Sequence, residues 1–279
     1  MLRRRLAWYM TKLNYTQRID LNGQTFQIPH INGLQYSPNE SWMTDVLRGL
    51  VSYRDGAFVD CGVNVGQTLL KVKSLQPERP YIGFEPNPAC VYYLNELKRR
   101  NRLSYCDIVP AGIADRDGVA TLYSYDESGH DSKASMRHDR GIDVVSTQHV
   151  ATVSADTVES LVGEQPISII KIDVEGLELD VTKSLLRLIE RERPPVLMEL
   201  LPVYSAESER KARQDEIEAL FRSVGYAQFE IMRDESDSFA GVTAVETAGI
   251  RSDWSRCDYV FAPAEQHSQV ETALGLYNA

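Results

Sequence analysis

Val59-Asp60-Cys61-Gly62-Val63-Asn64-Val65-Gly66, followed at once by Gln67-Thr68-Leu69-Leu70, decides how the rest of the chain is read. The apolar run Ala57-Phe58-Val59 is a buried strand, a helical pattern starts at Gln67, and two glycines occupy the turn between them. Gly62 and Gly66 let the backbone bend sharply and bring its N–H groups close to a ligand with no Cβ in the way. A dinucleotide-binding turn needs glycines at 62, 64 and 67, but Asn64 and Gln67 stand at two of those places, so the pyrophosphate cradle is mostly absent.

Working outward, Tyr81-Ile82-Gly83-Phe84 is a second strand and delivers Glu85, 23 residues beyond Gly62. From there a carboxylate can accept both hydroxyls of a bound ribose. A glycine turn plus a ribose acid, without a diphosphate site, fits a nucleoside cofactor that carries no phosphates, and S-adenosylmethionine is the common one. The plainer role for Glu85 is as a cap of the helix beginning near Pro88, for which Asn87 competes.

Five further apolar runs complete a sheet: Asp107–Val109, Ile167–Ile172, Pro195–Met198, Tyr226–Met232 and Asp258–Ala262, the last two pairing antiparallel. Helical patterns alternate with them, at Pro88–Arg100, around Val181, Leu185 and Leu188, and at Arg210–Val224. Alternating β and α units with near-continuous apolar strands predict an α/β fold, a doubly wound, mostly parallel, seven-stranded Rossmann-like sheet covered on both faces. A helical lead-in precedes it. Ser37 as N-cap, Pro38 at the first helical position and Glu40 three residues after the cap form a capping box, and Trp42, Met43, Val46, Leu47, Leu50 and Val51 share one face. The expected organisation is an extension over 1–38, the catalytic domain over 39–265 and a tail over 266–279.

Composition narrows the function. The chain has 279 residues, 43% hydrophobic and 25% charged, which suits one globular domain with extensions. A net charge of −10 argues against nucleic acid as substrate, which would call for a basic stripe. Arg3-Arg4-Arg5 followed by Leu6-Ala7-Trp8-Tyr9-Met10 is a solvated arm or, as the weaker alternative, a peripheral membrane contact. The apolar run is too short for a signal sequence or a membrane span, which leaves the cytoplasm as the expected location. Cys61, Cys90, Cys106 and Cys257 have no C-x-x-C spacing and read as reduced core thiols.

Ligands of such sheets bind beyond the C-terminal strand ends. There the fourth strand places Asp173 and Glu175, either of which could take a proton from an acceptor hydroxyl; together they could hold a divalent cation, or Asp173 could only organise the loop. No further acid or histidine completes the oxygen shell magnesium prefers, so a metal is not favoured. His130 and His138, in the long polar insertion between the third and fourth strands, are alternative bases. Glu199, leaving the fifth strand, is a substrate-side candidate together with Glu175. Asp234, Glu235 and Asp237 read as a solvated turn.

Four stretches together, Asp60–Gly66, Phe84-Glu85-Pro86-Asn87-Pro88, Ala114-Asp115-Arg116-Asp117-Gly118 and Lys171-Ile172-Asp173-Val174-Glu175-Gly176, resemble the FkbM family of methyltransferases in order and separation over roughly residues 40 to 200. The resemblance implies a class I methyltransferase fold, S-adenosylmethionine as cofactor, and hydroxyls of sugars, glycans or small metabolites as acceptors. It also implies that Asp60, Gly62, Asn64 and Gly66 hold the methionine end and Glu85 the ribose. Cys61 departs from the small aliphatic residue frequent at that place. Two rivals stay open: a nicotinamide-dependent oxidoreductase and a non-catalytic nucleoside-binding protein of the same fold.

Overall fold

The computed structural model describes residues 15–126, 134–138 and 143–277. The basic arm at 3–5 lies outside these residues. Strands β1 (Tyr15–Leu21) and β2 (Gln24–His30) form a hairpin, and α1 (Ser41–Tyr53) follows. The central run is β3 (Ala57–Cys61), α2 (Gln67–Leu75), β4 (Tyr81–Phe84), α3 (Pro88–Asn101) and β5 (Cys106–Val109). Next come β6 (Ala111–Ile113), β7 (Gly118–Ser124), β8 (Ser146–Val153), α4 (Ala155–Val162), β9 (Ile167–Ile172), α5 (Glu178–Glu192), β10 (Val196–Glu199) and α6 (Glu209–Ser223). The chain closes with β11 (Tyr226–Arg233), β12 (Phe239–Val245), β13 (Asp258–Pro263) and α7 (His267–Leu274).

The main sheet runs β12-β11-β13-β10-β9-β3-β4-β5. From β10 to β5 every neighbouring pair is parallel, while β13 lies antiparallel between β10 and β11. All seven expected strands form in this doubly wound α/β sheet. An eighth, β12, adds an antiparallel edge to β11 through the turn at Asp234. That turn is the solvated acidic loop expected there, and Asp234 Oδ1 accepts from the amides of Ser236 and Ser238.

Side chains on a strand alternate between faces, so consecutive residues feed opposite cores. Phe58, Tyr81, Ile169 and Leu197 pack with α1, α2, α3 and α7. Val59, Ile82, Ile170 and Met198 pack with α4, α5 and α6. The topology reverses beside β3, where α2 and α3 go to one face and α5 to the other, and the crevice opens there.

Three local expectations change. The described part of the lead-in is a β-hairpin before its helix, because Asn22 and Gly23 both take positive φ, 50° and 78°, the pair a tight hairpin turn requires. Helix α1 starts at Ser41, not at Pro38: Glu40 is its cap residue in the left-handed region and makes no side-chain capping bond. Ser37 Oγ bonds Asn39 and Glu40 reaches Lys71 at 3.5 Å, so neither half of the capping box forms. The long insertion is also more than a loop. It builds a small sheet in the order β6-β8-β7. Past residue 265, α7 packs on α1 so closely that a Cβ on Gly49 would lie 2.5 Å from the Ala273 carbonyl oxygen.

Below the sheet, buried Lys73 donates to the carbonyls of Pro77, Arg79, Ser104 and Tyr105 at 2.7–3.0 Å, tying the loops that enter β4 and β5. Lys73→Met should leave these carbonyls unpaired and lower the unfolding free energy by about 2–4 kcal/mol, read by urea titration. An unchanged midpoint would mean that the ammonium does not hold these loops.

Candidate functional site

Three neighbouring parallel strands, β9, β3 and β4, end side by side, and each hands its chain to a turn that faces one crevice. The turn after β3 is held from both sides. The amides of Gly62 and Val63 donate to the Phe84 carbonyl at 2.9 and 3.3 Å, and the Asp173 amide donates to the Cys61 carbonyl at 3.1 Å. Gly62 (φ 90°), Asn64 (φ 52°) and Gly66 (φ 83°) all lie in the left-handed region. At Gly62 no other residue fits, since an added Cβ would fall 1.9 Å from the Asp173 carbonyl oxygen. At Gly66 the reason is packing: a Cβ would meet Leu97 and Leu94 of α3 at 2.9 and 3.0 Å.

Glu85, 6% exposed, lies at the end of β4. Its Oε2 accepts from the Asn64 amide at 2.7 Å and its Oε1 from the Asn87 amide at 2.8 Å. Burial pushes its pKa up to about 7, against the opposing pull of those two amides. The helix cap that competed for Glu85 is supplied by Asn87, whose side chain accepts from the Ala89 amide at 3.0 Å. Glu85 is thereby left on the wall of an open cavity together with Gly62, Val63, Asn64, Gly112, Met136, Asp173 and Glu175.

Asp60 does not reach that wall. It is fully buried beneath the turn, where Oδ2 accepts from the Tyr81 hydroxyl and Oδ1 faces Lys171 Nζ at 3.6 Å. Lys171 Nζ donates on its other side to Asp173 Oδ2 at 2.9 Å. Burial works against the charge on Lys171, but Asp173 and Asp60 outweigh it and hold the ammonium well above its usual range. Burial raises Asp60, and Lys171 and Tyr81 pull it back. Asp60 is thus placed to orient the cavity floor, and the sequence reading missed the two partners that fix it. For Lys171 a signal was present: it is the one charge inside the strand Ile167–Ile172, on the same face as Asp173 two residues on.

The turn Asp173-Val174-Glu175-Gly176 places Glu175 (φ 52°) and Gly176 (φ 100°) in the left-handed region. Glu178, the first residue of α5, accepts from the Gly176 amide at 2.9 Å and so braces it. Glu175 lines the first cavity and also a second one, formed with Glu199, His138, Arg137, Arg213 and Trp254. Burial, with Asp173, Asp258 and Glu175 nearby, pushes Glu199 up to about 10. His138 is exposed and its ring tilts against Tyr123 at 5.3 Å, away from the first cavity. His130 lies outside the described residues. Among the described residues, no group of three or more histidine, cysteine or acidic side chains is placed to hold a metal ion, and no helix is long and apolar enough to cross a membrane. All four cysteines are buried and unpaired with one another.

Comparisons with known proteins follow the same residues. A sequence model described as the Methyltransferase FkbM domain matches residues 60–227. "Methyltransferase 1" of Beauveria bassiana (strain ARSEF 2860) is 25% identical over 147 residues, which is 47% of this chain and 59% of that protein. The chain therefore spans about three-fifths of that relative. Among solved structures, a methyltransferase FkbM from Methylobacillus flagellatus KT has a TM-score of 0.46 at 14% identity, over 74% of this chain and 43% of the other. Fibrillarin from Aeropyrum pernix, in complex with S-adenosyl-L-methionine, has a TM-score of 0.45 at 13% identity, over 88% of this chain and 82% of the other.

A carboxyl raised by folding costs stability as pH climbs from its unfolded pKa, 4.5, to its folded one, about 7. For Glu85 the full penalty is about 3 kcal/mol. Glu85→Gln should remove that part of the decline of ligand-free stability over this window, measured by urea unfolding at a series of pH values. Parallel curves for the two proteins would contradict a buried, raised Glu85.

Proposed function

The chain belongs to the FkbM methyltransferase family, and from that premise we propose that it transfers the methyl group of S-adenosylmethionine to a hydroxyl of a sugar, glycan or small metabolite. One observation carries the reading: a buried carboxylate, Glu85, stands at the end of β4 beside the glycine turn 62–66, on the wall of an open cavity. Each Glu85 oxygen accepts a single amide bond and keeps a lone pair for a ribose hydroxyl. Gly62, Val63 and Asn64 line the same cavity, whereas buried Asp60 and Gly66 support the turn from behind.

When bound, the cofactor supplies a sulfonium methyl as electrophile. The chain's own contribution is positioning, since the acceptor oxygen must approach in line and away from water. Asp173, on the cavity wall and steadied by Lys171, would take the proton of the acceptor hydroxyl during the transfer. The second cavity takes the acceptor. Glu199, raised to about 10, enters it protonated at neutral pH and offers a hydrogen bond to an acceptor oxygen. Glu175 lines both cavities and accepts from acceptor hydroxyls. His138 lies on the acceptor side, too exposed to be the base of first choice.

Calorimetric titration with S-adenosylhomocysteine, with and without magnesium, tests the reading. Saturable binding on the order of micromolar is expected, weakened by about tenfold to a hundredfold in Glu85→Ala because two charge-assisted hydrogen bonds are lost. Wild-type affinity should also fall as pH drops below about 7, where Glu85 takes up its proton. No binding under either condition would remove the proposed function. Given binding, transfer of labelled methyl to a panel of sugars should persist in Glu85→Ala at raised cofactor and drop by about 10²-fold or more in Asp173→Asn. Full turnover in Asp173→Asn would remove it as the base.

A further inference from the structure

Residues 134–138 run between the two cavities. Ala134, Ser135 and Met136 face the first, while Ser135, Arg137 and His138 face the second. The segment is well anchored. Ser135 exchanges both backbone hydrogen bonds with Tyr123 of β7, at 2.8 and 3.1 Å. Its buried Oγ accepts from the Arg137 amide at 3.1 Å, the Tyr125 hydroxyl donates to the Arg137 carbonyl at 3.0 Å, and the Arg137 guanidinium pairs with Glu209 at the start of α6.

Met136 has a seat of its own. An added Cβ on Gly112, in β6, would lie 2.4 Å from Met136 Cε and 2.8 Å from its Sδ. A glycine inside a strand weakens it, and such a glycine marks a place where another group approaches closely. Here that group is the thioether tip, and both residues line the cavity assigned to the cofactor. Methionine is flexible and polarisable, so it packs well on an aromatic ring but needs a seat to hold one conformation. The missing side chain at 112 provides it.

We propose that Met136, seated on Gly112, is a donor-binding residue that walls the nucleoside cavity, and that the segment carrying it partitions donor from acceptor. Among the described residues only Ser135 and Glu175 line both cavities, so the methyl group crosses between them. The inference rests on the reading of the first cavity as the S-adenosylmethionine site. It adds a binding residue that none of the motifs contains.

A double-mutant cycle read by S-adenosylhomocysteine calorimetry tests it. Gly112→Val fills the seat and displaces the thioether, and should weaken binding about tenfold. Met136→Ala should weaken it several-fold, Met136→Leu should stay near wild type, and the ligand-free melting points of the two Met136 variants should match wild type. Gly112→Val/Met136→Ala should bind no more weakly than Met136→Ala alone, because nothing is left to displace. Wild-type affinity in Gly112→Val or in Met136→Ala, or single effects that multiply in the double variant, would overturn the proposal. If Gly112→Val does not fold, the comparison of Met136→Ala with Met136→Leu decides alone. Failure of the wild-type protein to bind would instead remove the donor-site reading beneath it.

Discussion

A side chain of any size at position 62 would collide with the carbonyl of Asp173, and the whole site depends on that close approach. It lets the turn after β3 lean on the end of β9 while its amides bond the end of β4, so that three strand ends share one crevice. Glu85, Asn64 and Asp173 then converge without any of them being on a long loop. A site built this way inherits the rigidity of the sheet, which suits a displacement whose main requirement is alignment.

The crevice also gathers buried charge. Asp60, Lys171, Glu85 and Glu178 are each less than a tenth exposed; the first three lie at the C-terminal ends of parallel strands and Glu178 opens the helix that follows β9. Buried ions are expensive unless paired and hydrogen-bonded. Lys171 answers that demand for Asp60 and Asp173, and backbone amides answer it for Glu85 and Glu178. Glu85 is the informative case, because its two amides do not fully offset burial and its pKa stays near 7. Under the proposed function, a ligand that donates two hydroxyls would supply the missing stabilisation.

How much of this was legible in the sequence follows from how local each signal is. The β3 turn, Glu85 and Asp173 could be read directly, because a glycine turn and acids at strand ends are local patterns. The seven principal strands could be read for the same reason: their apolar runs are short, dense and bounded. β12 escaped notice because Phe239–Val245 mixes glycine, alanine and threonine and is only partly buried, so neither alternation nor a continuous apolar run marks it. The capping box at Ser37 had the right letters, but Glu40 is drawn to Lys71, a contact 31 residues away that no local rule encodes. The seat of Met136 on Gly112 is likewise a product of a chain crossing, visible only once β6 and β7 are in place.

The most direct measurement is the pKa of the Glu85 carboxyl itself, followed by carbon NMR in the free protein and in the presence of saturating S-adenosylhomocysteine. The account predicts a value of about 7 in the free protein and a clear fall on saturation, as ribose hydroxyls stabilise the ionised form. An ordinary carboxylate value in the free protein, or a value that does not move with ligand, would contradict the claim that this buried acid is what holds the nucleoside.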